Sequence, residues 1–143
     1  MPPALELSSE EIQASRDWVE KYYRAFDSFN LDYWIPTFHH SNITINLCSN
    51  PTMAGFDAIR AHFQDQQALL TSMQHDLKNI DVLPDRIYVR NVATFIVKND
   101  PKQQEIKINA VCLFWKNINE DKVSTIEVYF DPKELIERIQ MFI

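Results

Sequence analysis

Glycine is almost missing: Gly55 is the only one in 143 residues. A chain this poor in glycine has no flexible loop with which to press backbone N–H groups against a phosphate. No nucleotide motif is present either, so NAD, FAD and ATP are not expected, and no cofactor is assigned. A basic run is also lacking. The formal net charge is -6, which argues against nucleic acid and against an anionic membrane as partners, since both reward clustered positive charge. No apolar run approaches the roughly 20 residues that span a bilayer. The N-terminal MPPALELSSEE has no basic region followed by an apolar core, so no secretion signal is read and a cytoplasmic location is expected. Cysteine is scarce. Cys48 and Cys112 both lie in apolar, strand-like surroundings, where buried free thiols in a reducing compartment are expected. No Cys/His spacing of the metal-binding kind occurs, and the adjacent pair His39-His40 cannot place both rings on one ion as an i, i+4 helical pair does. No metal site is expected.

What is present is a globular composition, 45% apolar and 24% charged, with no linker, repeat or low-complexity segment. A single domain over residues 1–143 is expected, frayed over residues 1–8. The richest stretch runs from His75 to Asp131. Four segments, HDLKNIDV, RIYVRNVATFIV, EIKINAVCLFWK and KVSTIEVYFD, carry β-branched and aromatic residues between short polar breaks and predict an antiparallel meander.

Most helical pattern precedes the meander. Ser8 and Glu11 have capping-box spacing, and Val19, Tyr22, Tyr23 and Phe26 fall on one stripe that ends near Asp27. Asn30 is placed to cap a second helix with Leu31, Trp34, Ile35 and Phe38 on one face, which Pro36 should kink or shorten. A short strand over Ser41–Leu47 and a third helix after Gly55, with Phe56, Ile59, Phe63 and Leu70 aligned, complete this half. Asp131-Pro132 opens a last helix. An antiparallel sheet has one face to bury and these helices to bury it with. The fold class is therefore α+β, a curved antiparallel sheet forming a cone packed against three N-terminal helices, with a short C-terminal helix. A cone of this kind keeps an apolar pocket at its open end.

This order, with Ala25-Phe26-Asp27-Ser28 ending the first helix, Gly55-Phe56-Asp57-Ala58-Ile59 opening the third, His75 in QHDLKNIDV and Tyr129-Phe130-Asp131 ending the last strand, resembles the nuclear-transport-factor-two-like superfamily. The SnoaL-like branch is the nearer one. The resemblance covers about residues 9 to 135 and implies the cone fold. That superfamily includes polyketide cyclases, scytalone dehydratase, ketosteroid isomerase, epoxide hydrolases and non-catalytic modules. Asp27 and His75 stand where scytalone dehydratase carries a catalytic Asp and His. Its second His falls near Val97, and its polar Ser and Asn near Val111 and Leu113, so these do not carry over. SnoaL-type cyclases place an Asp where this chain has Asp131.

Asp27, His75 and Asp131 are thus the candidate catalytic residues. Asp27 reads either as a general base at a pocket rim or as a solvated helix-end carboxylate. His75 reads either as a proton donor or as a structural histidine, and Asp131 either as a pocket acid or as a helix cap. Tyr22, Tyr23, Trp34, Asn46, Asn109, Trp115 and Tyr129 are the candidate substrate-binding residues. Alternation puts Glu127, Tyr129 and Asp131 on one face of the last strand, which reads either as a functional concave wall or as a solvated convex one, with Tyr129 and Asp131 taken toward the pocket. His39, His40 and His62 read as surface or loop residues.

Two functions are expected of such a chain. One is a cofactor-independent acid–base enzyme of the lyase or isomerase kind (cyclase, isomerase or dehydratase) acting on a small apolar oxygenated molecule. The other is a binding or assembly module without chemistry. The apolar residues on the sheet imply a homodimer under either.

Overall fold

The protein's structure, a computed structural model, describes residues 6–143. The frayed start expected over residues 1–8 falls mainly on residues 1–5, outside the described residues. Ser8 is already ordered as a helix cap. Its hydroxyl accepts from the Glu11 N–H while the Glu11 carboxylate accepts from the Ser8 N–H, both at 3.0 Å, and α1 (Ser9–Asp27) follows. Asn30 caps α2 (Leu31–Phe38) by accepting from the Tyr33 N–H at 3.2 Å. Pro36 lies within this helix without ending it.

The chain continues through β1 (His39–Leu47), β2 (Met53–Ala54), α3 (Gly55–Ala68), β3 (Leu70–Val82), β4 (Arg86–Val97), β5 (Glu105–Trp115), β6 (Val123–Phe130) and α4 (Lys133–Gln140). Gly55 has φ +86, and a Cβ there would meet nothing within 4 Å. Backbone conformation, not space, is what calls for glycine at this joint.

The six strands form one sheet in the order β2-β1-β6-β5-β4-β3. β3 to β6 are the antiparallel meander, while β1 lies parallel to β6, a pairing that strand pattern alone does not reveal. Two boundaries move outward from the sequence reading. β1 begins at His39 rather than Ser41, and β3 begins at Leu70 rather than His75. Leu70 to Gln74 pair with Thr94 to Val97, so the long β4 recruits a partner of its own length and His75 sits within the strand. Register shifts between Leu70 and Ser72 and between Leu77 and Asn79 mark irregularities of the kind that bend a strand and raise its twist.

The concave face is packed by α1, α2 and α3. Val19, Ile35, Ile43, Ile59, Val89 and Val123 are fully enclosed there. At the other end, Leu135 of α4, with Ile139 and Phe142, packs against a cluster that includes Met73, Phe95 and Ile108. α4 therefore lies across the open end of the cone.

Candidate active site

Between the helices and the concave face is an apolar cavity of about 90 Å³. One water occupies roughly 10–15 Å³ on such a measure, so the space suits a small organic molecule. Strand alternation builds its wall: Ile45 and Leu47 from β1, Ala93 and Phe95 from β4, Ile108, Ala110 and Phe114 from β5, Ile126, Val128 and Phe130 from β6. The polar groups in the lining are few: Tyr22, Tyr23, Trp34, Gln66, His75, Asn91 and Cys112.

His75 is held from behind. Its Nδ1 lies 2.6 Å from Asp27 Oδ1, and its backbone N–H donates to Asp27 Oδ2 at 2.8 Å. α1 ends at Asp27, so the carboxylate sits at the helix terminus and bridges to the middle of β3. A carboxylate only accepts. Nδ1 therefore carries a proton, and Nε2 has no protein partner among the described residues. Tyr23 and Phe26 flank the ring at centroid distances of 4.8 and 5.6 Å. His75 lines both the cavity and an outer groove; Asp27 borders only the groove, with Glu20, Arg24 and Gln74. The sequence pairs these two residues only by resemblance. The geometry adds their placement, with the imidazole in the cavity lining and the carboxylate outside it.

Burial raises the Tyr22 and Tyr23 hydroxyls well above the ordinary tyrosine range, with the nearby Cys112 adding to the effect. Burial likewise pushes the Cys112 thiol up to about 11. All three stay protonated at neutral pH, as donors rather than nucleophiles.

Several expected site residues lie elsewhere, for one reason. In β5 and β6 the inward positions are Ile108, Ala110, Cys112 and Phe114, and Ile126, Val128 and Phe130, so Asn109, Trp115, Glu127 and Tyr129 point to the convex side. There the Trp115 Nε1–H donates to Glu127 at 2.8 Å and the Tyr129 hydroxyl donates to the same carboxylate at 3.1 Å. Asn46 faces outward between Ile45 and Leu47 and accepts from the Thr52 hydroxyl. Asp131 is exposed just before α4, where it accepts from the Lys133 N–H at 3.0 Å in a local turn; Pro132, not Asp131, holds the cap position of that helix. His39 is corrected too. It is fully buried, its Nδ1 set 2.9 Å from the Ile35 carbonyl and its Nε2 3.1 Å from the Tyr22 hydroxyl. His40 is half-exposed and pairs with Glu120 at 3.2 Å.

Gln66 and Asn91 were missed as site residues. Asn91 left a signal: on the inward stripe Ile87, Val89, Asn91, Ala93, Phe95, Val97 it is the one polar residue. Among the described residues, no group of three or more His, Cys, Asp or Glu is placed to hold a metal ion. No helix there is long and apolar enough to cross a membrane.

The curved sheet and the helices packed on it form an architecture shared with many solved structures. No family model matches the sequence, and no curated protein matches it. A nuclear-transport-factor-two-like protein of unknown function from Burkholderia pseudomallei superimposes with a TM-score of 0.73 at 17% identity, covering 92% of this chain and 98% of its own. A protein from a Jannaschia species, assigned as a SnoaL-like polyketide cyclase, gives 0.74 at 17% identity, with 94% and 96% covered. An epoxide hydrolase/cyclase-like enzyme of pyran ring formation in polyether salinomycin gives 0.72 at 21%, with 85% and 94% covered. The chain adopts the cone fold of the nuclear-transport-factor-two-like superfamily.

Proposed function

We propose that the protein is a cofactor-independent acid–base enzyme that removes a proton next to a carbonyl group of a small, largely apolar molecule. The observation that carries this reading is the Asp27–His75 pair at 2.6 Å, with His75 in the lining of an apolar cavity. His75 Nε2 takes the proton, the C–H electron pair moves into the carbonyl, and an enolate oxygen forms. The positive charge that develops on the imidazole stays beside the Asp27 carboxylate. Trp34 Nε1–H, buried and without a protein partner, is a donor in the same lining for the enolate oxygen. A donor in a site that excludes water stabilises such charge far better than one in bulk solvent. Return of the proton to carbon, attack on a second carbonyl, or loss of a neighbouring hydroxide then gives isomerisation, cyclisation or dehydration. The cyclase names of two solved neighbours are in keeping with this chemistry.

The test is hydrogen–deuterium exchange at the α-carbon of 2-tetralone in D₂O, followed by NMR. The intact protein should accelerate exchange over buffer, and His75→Gln should lose about 10²- to 10⁴-fold of that acceleration, the range of a positioned general base. Equal rates for the two proteins would remove His75 from the mechanism.

A second reading, a binding module without chemistry, is favoured by the scarcity of polar groups in the lining. It predicts uptake of an apolar ligand with no exchange in either protein. Under both readings we propose a homodimer through the convex face, where Tyr88, Val111 and Tyr129 are exposed beside the half-buried Leu113 and Trp115.

A further inference from the structure

Asn91 lies mid-sheet, between Leu77 of β3 and Ala110 of β5, and is 1% exposed. The two ends of its amide are treated differently. Nδ2 donates toward the Tyr23 hydroxyl at 3.4 Å and toward Cys112 Sγ at 3.6 Å, which ties the nitrogen to groups from α1 and β5. Oδ1 is equally enclosed and has no partner among the protein's atoms. The inward neighbours on its own strand, Val89 and Ala93, offer no side-chain donor. A buried amide oxygen left this way destabilises a fold unless something donates to it. The rest of the inward stripe shows that an aliphatic residue is readily accommodated at such positions.

We propose that Asn91 sets the specificity of the cavity, its Oδ1 accepting from a hydroxyl group on the ligand. The ligand class follows: a small hydrophobic ring or short framework bearing a phenol, enol or alcohol, not a plain hydrocarbon or a simple ketone. Together with His75 this describes a hydroxy ketone, with the hydroxyl bonded to Asn91 and an acidic C–H presented to Nε2. The inference rests on reading the cavity as a ligand site. It does not require that His75 be catalytic.

A hydroxyl lost from the ligand leaves the amide oxygen buried and unpaired. Sites built to bond a hydroxyl reject analogues that lack one far more strongly than apolar pockets reject a change of shape. The experiment compares three probes of similar size, p-cresol, 4-methylanisole and toluene, by ¹H–¹⁵N NMR titration of the intact protein. The wild type should bind p-cresol at least about 10-fold more tightly than 4-methylanisole or toluene, with the Asn91 side-chain amide signal shifting. Asn91→Leu should erase the preference while still binding toluene. Equal wild-type affinities, a preference that survives in Asn91→Leu, or no binding of any probe would overturn the proposal. If Asn91→Leu does not fold, the wild-type comparison of p-cresol with 4-methylanisole and the Asn91→Ser protein decide the matter. His75→Gln should keep the p-cresol preference. A wild type that shows the preference but no α-proton exchange would uphold Asn91 and overturn the catalytic reading.

Discussion

Asp27 holds His75 at two points, one carboxylate oxygen on the ring Nδ1 at 2.6 Å and the other on the backbone N–H of the same residue at 2.8 Å. The double contact fixes ring and strand together. It couples the end of α1 to β3 at the one imidazole that faces the cavity.

On the proposed acid–base reading, Asp27 is a positioning residue. Asp27→Asn presents an N–H that competes with Nδ1–H and favours the opposite tautomer, putting the proton on Nε2. The expected result is a loss of about 10²- to 10⁴-fold in turnover, as for an oriented imidazole with the wrong tautomer, with KM nearly unchanged. Steady-state kinetics of the exchange reaction checks this. A rise in KM with kcat intact would show instead that Asp27 only shapes the pocket.

His39 makes stability pH-dependent. Burial lowers it from 6.5 to about 4, against the opposing pull of the Ile35 and Trp34 carbonyls. The unfolded chain therefore binds this proton more readily than the folded one. Stability should be unaffected by His39 above pH 6.5 and fall as the pH drops from there toward 4, by about 3 kcal/mol in all. Urea unfolding across that range measures it. His39→Gln should flatten that part of the profile while lowering stability at pH 8, because the partner of the Tyr22 hydroxyl is altered.

Arg138 pins α4 over the end of the cone. Its Nε and Nη2 donate to the two oxygens of Asp100 at 2.9 and 2.8 Å, and the Lys102 and Gln104 N–H groups donate to the same carboxylate. Burial alone would raise the Asp100 carboxyl; Arg138 and the two N–H groups outweigh it and hold it below the usual range. Removing the arginine leaves an enclosed carboxylate short of partners. Arg138→Met should lower Tm and speed hydrogen exchange first in Lys133–Gln140. Arg138→Lys should rescue it only partly, since an ammonium cannot reproduce the fork.

The convex face carries the dimer prediction. Val111 is 42% exposed at the centre of that face, opposite Tyr129 in the ladder. Val111→Lys should shift the protein toward monomer in sedimentation velocity, with the far-UV spectrum unchanged. A wild type that is monomeric at high concentration would contradict the assignment.

The fold was readable because its elements announce themselves locally. Ser8 and Glu11 form the expected capping box, Asn30 is the expected cap, and the third helix begins at Gly55 as expected. The parallel contact between β1 and β6 was not readable, since no local pattern encodes a long-range pairing. The site divided along the same line. Tyr22, Tyr23, Trp34 and His75 were found as cavity residues. Tyr129, Trp115 and Asn109 were placed on the wrong face, because a strand with side chains of mixed character on both faces does not declare which one is inward. Phe130 and Val128, the residues that do line the cavity, alternate with Tyr129 one step out of phase. Asn91 was legible in principle, as a lone amide on an apolar stripe. Its unpaired oxygen belongs to three-dimensional packing and could not be.

The most direct measurement is a long-range ¹H–¹⁵N NMR spectrum of the His75 imidazole above neutral pH. The account predicts a neutral ring protonated on Nδ1, hydrogen-bonded to Asp27, with an unprotonated Nε2 available as a base. A ring protonated on Nε2 alone, or on both nitrogens, would contradict it.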